Sequence, residues 1–178
     1  MNTGQTLLTL AALILLSGTV LNFNRSLNNS DLALAQSRYR LEALSLLSSH
    51  MEQASQNYFD EATLDSTSAK TLGEFTAPGI LGLEINDLGV PDDFDDFNGM
   101  AISDTGRSGV PYRIYFEVDY VRLQGDSFVV SGNREYHKRM RISVMDDYPR
   151  PILFKYQGGA VVRDTMRMEF VYSYWFYN

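Results

Sequence analysis

The chain has 178 residues, no cysteine and only two histidines. Without cysteine it cannot build a disulfide framework, a zinc ribbon or a thiolate nucleophile. His50 and His137 fall on different predicted elements, which argues against a histidine-rich metal site and against a histidine-based catalytic triad. The sequence also contains no phosphate-binding loop, nucleophile elbow or His-Glu-x-x-His motif. We therefore expect that the protein is not an enzyme.

Positive charge is scarce as well. The chain has 15 Lys and Arg against 22 Asp and Glu, which gives a net charge of −7. Proteins bind nucleic acid largely by neutralising phosphates with Lys and Arg, so this composition predicts no nucleic-acid partner. The length suits one globular domain and an N-terminal helix.

The N-terminus has no Lys or Arg before Arg25, and an almost unbroken apolar run extends from Leu7 to Phe23. A helix needs roughly 20 apolar residues to cross a bilayer. The run therefore predicts a helix over residues 5–25 that lies in a membrane or in the core of a filament. Its large apolar side chains are Leu7, Leu8, Leu10, Leu13, Ile14, Leu15, Leu16, Val20, Leu21 and Phe23.

Three interpretations compete for this segment. A cleaved secretory signal would need a positive N-terminal region and a small-x-small site soon after the apolar core. The first such site, Ala33-Leu34-Ala35, lies well beyond the run, so this interpretation is the weakest. A plain signal-anchor helix needs only the apolar run, and does not explain why a long amphipathic helix follows it. The third interpretation rests on the residues around Gly4.

The segment Gly4-Gln5-Thr6-Leu7-Leu8 resembles the N-terminal motif of type IV prepilins and pseudopilins. In that family a membrane peptidase cuts after the glycine, which implies a leader over residues 1–4 and processing between Gly4 and Gln5. The family usually has an aromatic residue where Gln5 stands and a glutamate where Thr9 stands. This chain therefore lacks the carboxylate that would pair with the N-terminal amine of a neighbouring subunit.

The resemblance implies a structural subunit of a type IV pilus-like or pseudopilus-like filament. Its partners would be copies of itself or other pilin-like subunits. It would reside in the inner membrane before assembly and afterwards in a filament at the cell surface. The alternative is a monomeric, single-pass membrane-anchored protein whose extracytoplasmic domain binds a ligand.

A long amphipathic helix is predicted to follow, so that residues 5–62 form the N-terminal helix and residues 63–178 a β-rich head. Asn28–Asp31 is the weak point, because Ser30 or Asp31 could cap a new helix and leave a hinge. Apolar residues recur at helical spacing in two stripes, which indicates either two covered faces or one broad core face. The stronger stripe is Leu41, Leu44, Leu47, Met51, Ala54 and Tyr58, and the weaker is Leu32, Ala35, Tyr39, Ala43 and Leu46.

An acidic segment, residues 91–99, precedes the predicted sheet. Carboxylates gathered so closely repel one another unless a cation screens them, and oxygen ligands suit Ca²⁺. One hypothesis is therefore a structural calcium site made by Asp92, Asp93, Asp95, Asp96 and Asn98. The other is a solvated acidic turn. In both, Phe94 and Phe97 anchor the segment while the aspartates point outward. No other cofactor is expected.

The rest of the chain predicts an antiparallel sheet, which gives an α+β fold with the long helix packed on the sheet. Tyr112 to Tyr120 and Met140 to Val144 alternate with a period of two, so alternate residues should face the core. Further strands are expected at 127–131, 152–157 and 160–177, and short strands within 66–89. A basic strip at Arg134, His137, Lys138, Arg139 and Arg141 is expected on the solvent side, where it could meet the acidic segment of a neighbouring subunit.

Overall fold

The computed structural model describes residues 3–64, 66–84 and 89–175. The chain divides into two compact units, Met1–Tyr39 and Arg40–Asn178. Helix α1 (Thr3–Ser55) supplies all the described structure of the first unit and continues into the second. An α+β fold with a long apolar N-terminal helix and antiparallel sheets is confirmed.

In the first unit, α1 has the length and composition of a helix that can cross a membrane. The ten large apolar side chains between Leu7 and Phe23 are each 50–73% exposed. The helix is continuous through Asn28–Asp31, as predicted for a single N-terminal helix, and the possible hinge at this weak point is not formed. Ser30 does not cap a new helix, because its hydroxyl donates to the carbonyl of Ser26 at 3.0 Å within the same helix.

The helix ends at Ser55, earlier than the predicted end at residue 62. At Tyr58 the backbone forms a parallel bridge with Asp93, which requires an extended chain. Asp60 has φ −167° and caps a short 3₁₀ turn, Glu61–Thr63. Tertiary pairing with the acidic segment therefore ends the helix.

Seven strands follow in the described part of the chain. β1, β2, β4 and β7 form an antiparallel sheet in that order, and β3 pairs with the distal half of β2. β5 and β6 form a separate hairpin. The strands are β1 (Ala101–Thr105), β2 (Pro111–Gln124), β3 (Ser127–Val130), β4 (His137–Asp146), β5 (Phe154–Gln157), β6 (Ala160–Arg163) and β7 (Met166–Ser173).

The strand predictions are correct for β2 to β5 to within a few residues. β1 was not expected. The stretch expected as one strand over residues 160–177 is divided into β6 and β7 in its described part. The described residues of segment 66–89 form 3₁₀ turns at Leu72–Glu74 and Pro78–Ile80 in place of strands.

The core of the second unit lies between the sheet and residues 40–55 of α1. The predicted alternation is confirmed, since every inward residue from Tyr112 to Tyr120 and from Met140 to Val144 is buried. The helix contributes buried Ala43, Leu47, Met51 and Ala54. Leu41 and Leu44 of the predicted stripe are 67% and 39% exposed, so they do not belong to this core.

Glu42 attaches the helix to the loop between β1 and β2. One carboxylate oxygen accepts from the amide of Ser108 at 2.6 Å, and the other accepts from the Ser108 hydroxyl at 2.5 Å and from the Tyr112 hydroxyl at 3.1 Å. The loop approaches closely at Gly106, where an added Cβ would lie 2.4 Å from the Glu42 carboxyl carbon. Helix position and loop conformation therefore depend on each other.

Candidate functional site: a buried lysine among aspartates

The acidic segment folds through hydrogen bonds between its own carboxylates and backbone amides. Asp96 Oδ2 accepts from the amides of Asp92 and Asp93 at 2.9 and 3.2 Å. Asp93 Oδ1 accepts from the amides of Asp95 and Asp96 at 2.8 and 3.1 Å. Residues Asp95–Phe97 form a 3₁₀ turn as a result.

Phe94 and Phe97 anchor the segment as expected. Phe94 is buried against Tyr172, with ring centroids 5.1 Å apart, and Phe97 against Phe116, at 5.4 Å. The expectation that the aspartates point outward is wrong for three of the four. Asp93, Asp95 and Asp96 have no exposed surface, whereas Asp92 is exposed.

Lys138 explains how so much negative charge is accommodated inside the unit. It lies on β4 and its side chain is fully buried. The ammonium donates to the Phe59 carbonyl at 2.8 Å, to Asp60 Oδ2 at 2.7 Å and to Asp95 Oδ1. These three bonds use all three N–H groups of the ammonium.

Asp60 joins four segments at this point. Besides Lys138, its carboxylate accepts from the amide of Ala62 at 3.2 Å and from the amide of Thr76 at 3.0 and 3.1 Å. The Tyr120 hydroxyl donates to Asp60 Oδ2 at 3.2 Å. One carboxylate therefore connects four segments: the residues after the helix, the 3₁₀ segment around Thr76, β2 and β4.

Aromatic rings surround the Lys138 ammonium. It lies 4.5 Å from the centroid of the Phe59 ring and 5.2 Å from that of Tyr120, in range of a cation–π contact. Phe75 packs edge-on to Phe59 at 5.2 Å and is also buried. The charged atoms therefore lie in a closed apolar surrounding.

Burial shifts the proton equilibria of this site. Loss of hydration, and then the charge of Asp95, raise the pKa of Asp93 to about 9. Burial likewise raises the pKa of Asp95, although the Lys138 charge opposes the shift. Burial and the charge of Asp60 raise the pKa of Tyr120, which stays a neutral donor. Three carboxyl oxygens, Asp93 Oδ2, Asp95 Oδ2 and Asp96 Oδ1, are buried without a hydrogen-bond partner.

Several side chains of the predicted calcium site form hydrogen bonds within the protein instead. The side-chain amide of Asn98 donates to the Leu81 carbonyl at 3.0 Å and accepts from the Val118 amide at 2.9 Å. Among the described residues, no three His, Cys, Asp or Glu side chains form a group suited to a metal. The donor set therefore does not fit Ca²⁺ in this arrangement, and calcium binding stays a prediction for experiment.

The basic strip was expected on the solvent side of the sheet, and the structure differs from this expectation at Lys138. Lys138 faces the interior. Arg141 is paired across the sheet with Glu117 at 2.7 Å and with Glu169 at 2.9 Å. Arg139 is paired with Asp119 at 3.3 Å. Three of the aspartates are buried and these two arginines have acidic partners within the chain, so the structure does not support pairing of the strip with the acidic segment of a neighbouring copy, which stays a prediction.

Sequence reasoning missed Lys138 and Asp60 as members of one site. A signal for Lys138 was available, since it stands two residues before Met140 and thus shares the inward phase of β4. Nothing comparable marks Asp60. Its role depends on the position where α1 ends, which is set by pairing with the acidic segment.

A second feature of the same unit is an open groove of about 490 Å³. It lies beside the end of α1 and the end of β7. Aromatic side chains form much of its wall, and Trp175 is 69% exposed. The aromatic lining residues are Tyr58, Phe59, Tyr172, Tyr174 and Trp175.

Gly4 and Gln5, the predicted processing site, lie on exposed helix at the start of α1. Their cleavage stays a prediction. Comparisons with protein-family models, with curated proteins and with solved structures each give no match to this chain.

Proposed function

We propose that this chain is a structural, non-catalytic subunit of a type IV pilus-like or pseudopilus-like filament. The observation that carries the proposal is the exposed apolar surface of α1 between Leu7 and Phe23. Each square ångström of apolar surface removed from water contributes roughly 25 cal/mol, so a stretch of this size favours lipid or other apolar helices as its surroundings.

Three threonines in or directly before this stretch are suited to an apolar environment. The hydroxyls of Thr6, Thr9 and Thr19 each donate to the carbonyl three residues earlier, at 2.9, 2.9 and 2.7 Å. A polar group without a partner costs several kcal/mol in hydrocarbon, and these three have one within the helix. Thr9, at the position of the family glutamate, thus brings no buried charge.

In the proposed assembly, inner-membrane lipid surrounds the N-terminal half of α1 first. Helices of other subunits, either copies of this chain or related pilin-like proteins, then replace the lipid. Leu41 and Leu44, exposed on the part of the helix that belongs to the second unit, offer a further apolar contact. The β-rich head then lies at the filament surface, outside the cell.

The direct test is to shear surface material from cells that make this protein, to image it by electron microscopy, and to sequence its subunits. The proposal expects this chain in fibres, with Gln5 as its first residue. A chain that retains Met1, is recovered only from membranes and is monomeric in mild detergent would contradict it.

A monomeric, membrane-bound chain that retains Met1 would fit the alternative function, an anchored extracytoplasmic binding protein. The observation that favours it is the aromatic groove, because aromatic walls are common in ligand sites. Substitution of Trp175 by Ala separates the two functions. It should leave filaments intact if the chain is structural, and should abolish ligand capture if the groove is the functional site.

A further inference from the structure

The contact between Lys138 and Asp95 is unusual for an ion pair. Neither side chain has any exposed surface, and the Lys138 ammonium is in direct contact with Asp95 Oδ1. The other carboxyl oxygen, Asp95 Oδ2, is buried without a hydrogen-bond partner. An amine nitrogen and a carboxyl group are thus held together in a site without bulk water.

A third group completes the arrangement. Asp60 Oδ2 lies 2.7 Å from the same lysine nitrogen, so its carboxylate can accept a proton from it. Asp60 is fixed by backbone amides of Ala62 and Thr76, and it has no exposed surface. The rings of Phe59 and Tyr120 close the site around the nitrogen.

From this geometry we propose that Lys138 and Asp95 form an intramolecular isopeptide bond, with Asp60 as the catalytic carboxylate. The bond would join the acidic segment to β4 covalently. The inference does not depend on filament assembly, because all three residues belong to the second unit.

The reaction balances without an oxidant, a reductant or a cofactor. Asp60 takes one proton from the Lys138 ammonium and passes it to a carboxyl oxygen of Asp95. The free amine attacks Cγ of Asp95, and a carbon–nitrogen bond forms. A second nitrogen proton goes to the same oxygen, the carbon–oxygen bond breaks, and one water leaves. The third proton stays on the amide nitrogen, and Asp60 is again a carboxylate.

Two physical effects favour this condensation inside the fold. Holding the groups in contact replaces an encounter in solution, which corresponds to effective concentrations of about 10⁵–10⁸ M in well-oriented intramolecular reactions. Burial also penalises the charged reactants, and the amide product removes one positive and one negative charge from the interior. Hydrolysis of the product would need water, which the aromatic rings keep away.

The bond would suit a chain without cysteine. Many extracellular proteins are cross-linked by disulfides, which this chain cannot form. An amide between residues 95 and 138 closes a loop in the same way and is insensitive to reducing agents.

The test is mass spectrometry of the full-length protein, folded in detergent, followed by peptide mapping. The wild type should be lighter than its sequence by one water molecule, after correction for any N-terminal processing. Digestion should give one branched peptide that contains Asp95 and Lys138, and trypsin should fail to cut after Lys138. Lys138→Arg should have its full mass and migrate more slowly on a denaturing gel than the wild type.

The matched control is Lys155→Arg, since Lys155 is an exposed lysine that also faces an aspartate, Asp164, at 3.4 Å. It should lose the same water molecule as the wild type. Asp60→Asn should be folded by circular dichroism and keep its full mass, because the proton acceptor is gone.

Separate unmodified peptides for Asp95 and Lys138 from folded wild type would overturn the proposal, even if the variants fail to fold. A water loss that maps elsewhere, or that persists in Lys138→Arg, would do the same. Bond formation at an unchanged rate in Asp60→Asn would remove Asp60 from the mechanism.

Discussion

Lys138 has no exposed side-chain surface, and each of its three N–H groups meets a different acceptor. Removing one partner from a buried ion pair typically costs about 3–5 kcal/mol, because the remaining charge is left without compensation. The charge of Lys138 therefore compensates the cost of burying Asp60 and Asp95. Asp93 is buried in its protonated, neutral form, because its pKa is raised.

The raised pKa of Asp93 predicts a pH dependence of stability. Its ordinary pKa is 3.8 and its folded value is about 9, so between these values the folded chain holds a proton that the unfolded chain has lost. The free energy of unfolding should therefore fall as pH rises, by at most about 1.4 kcal/mol per pH unit. Chemical denaturation between about pH 6 and pH 8 measures this slope.

Asp93→Asn should flatten this slope, because Asn cannot ionise and its Oδ1 can still accept from the amides of Asp95 and Asp96. The charged groups that act on Asp93 are Asp95, Asp96 and Lys138, but burial is the largest cause of the shift. The free energy of unfolding should therefore fall with rising pH whether or not Lys138 and Asp95 form the proposed amide. Asp126→Asn, in an exposed turn, is the control. An equal slope in Asp93→Asn and the wild type would contradict the assignment.

Calcium dependence is a separate prediction for the acidic segment. A bound ion stabilises by about 2.7 kcal/mol at a hundredfold excess over its dissociation constant. We expect equal melting temperatures of the full-length protein with Ca²⁺ and with chelator, because Lys138 and backbone amides already occupy many of these oxygens. A fall in melting temperature on chelation, abolished by Asp95→Asn with Asp96→Asn, would establish the calcium site.

At the scale of elements, the attachment of α1 to the β1–β2 loop depends on Glu42 and Gly106. Glu42→Ala should destabilise the second unit by about 1.5–3 kcal/mol, as expected for hydrogen bonds to a charged group. Gly106→Ala should destabilise it by about 1–3 kcal/mol, because the new methyl group overlaps the Glu42 carboxylate.

The double variant distinguishes this explanation from independent effects. Once Glu42 is removed, the Gly106→Ala methyl has no carboxylate to meet, so the double change should cost little more than Glu42→Ala alone. Gly132→Ala is the control, since an added Cβ there meets nothing within 4 Å. Additive costs in denaturant unfolding would show that the two residues do not interact.

For the whole molecule, the decisive property is the exposed apolar surface of the N-terminal helix. If the chain forms the proposed filament, Leu13→Asp should abolish it and weaken membrane insertion, because a carboxylate near the centre of a bilayer costs about 2.5–3.5 kcal/mol even on an insertion scale. Thr9→Ala should assemble normally, since it removes a hydroxyl bonded within the helix and no charge. Filament counts by electron microscopy and carbonate extraction of membranes provide the measurements. Failure of Thr9→Ala to assemble would instead indicate an intersubunit contact of the hydroxyl.

The apolar helix, the alternating strands β2 and β4 and the α+β class can be predicted from the sequence, because they follow from periodicity and composition along one segment. Thr3–Ser55 and Pro111–Gln124 illustrate this, although the helix ends at Ser55 and not at the predicted residue 62. The absence of cysteine and the net charge were equally plain.

The inward orientation of the acidic segment depends on contacts between segments that are distant in sequence. Its aspartates were expected to face solvent, because no local pattern shows that a lysine 43 residues after Asp95 supplies the opposite charge. The end of α1 was misplaced for the same reason, since the backbone pairing of Tyr58 with Asp93 joins segments far apart in sequence. Local periodicity fixes which face of an element is apolar, but contacts between distant segments fix which buried charges meet and where an element ends.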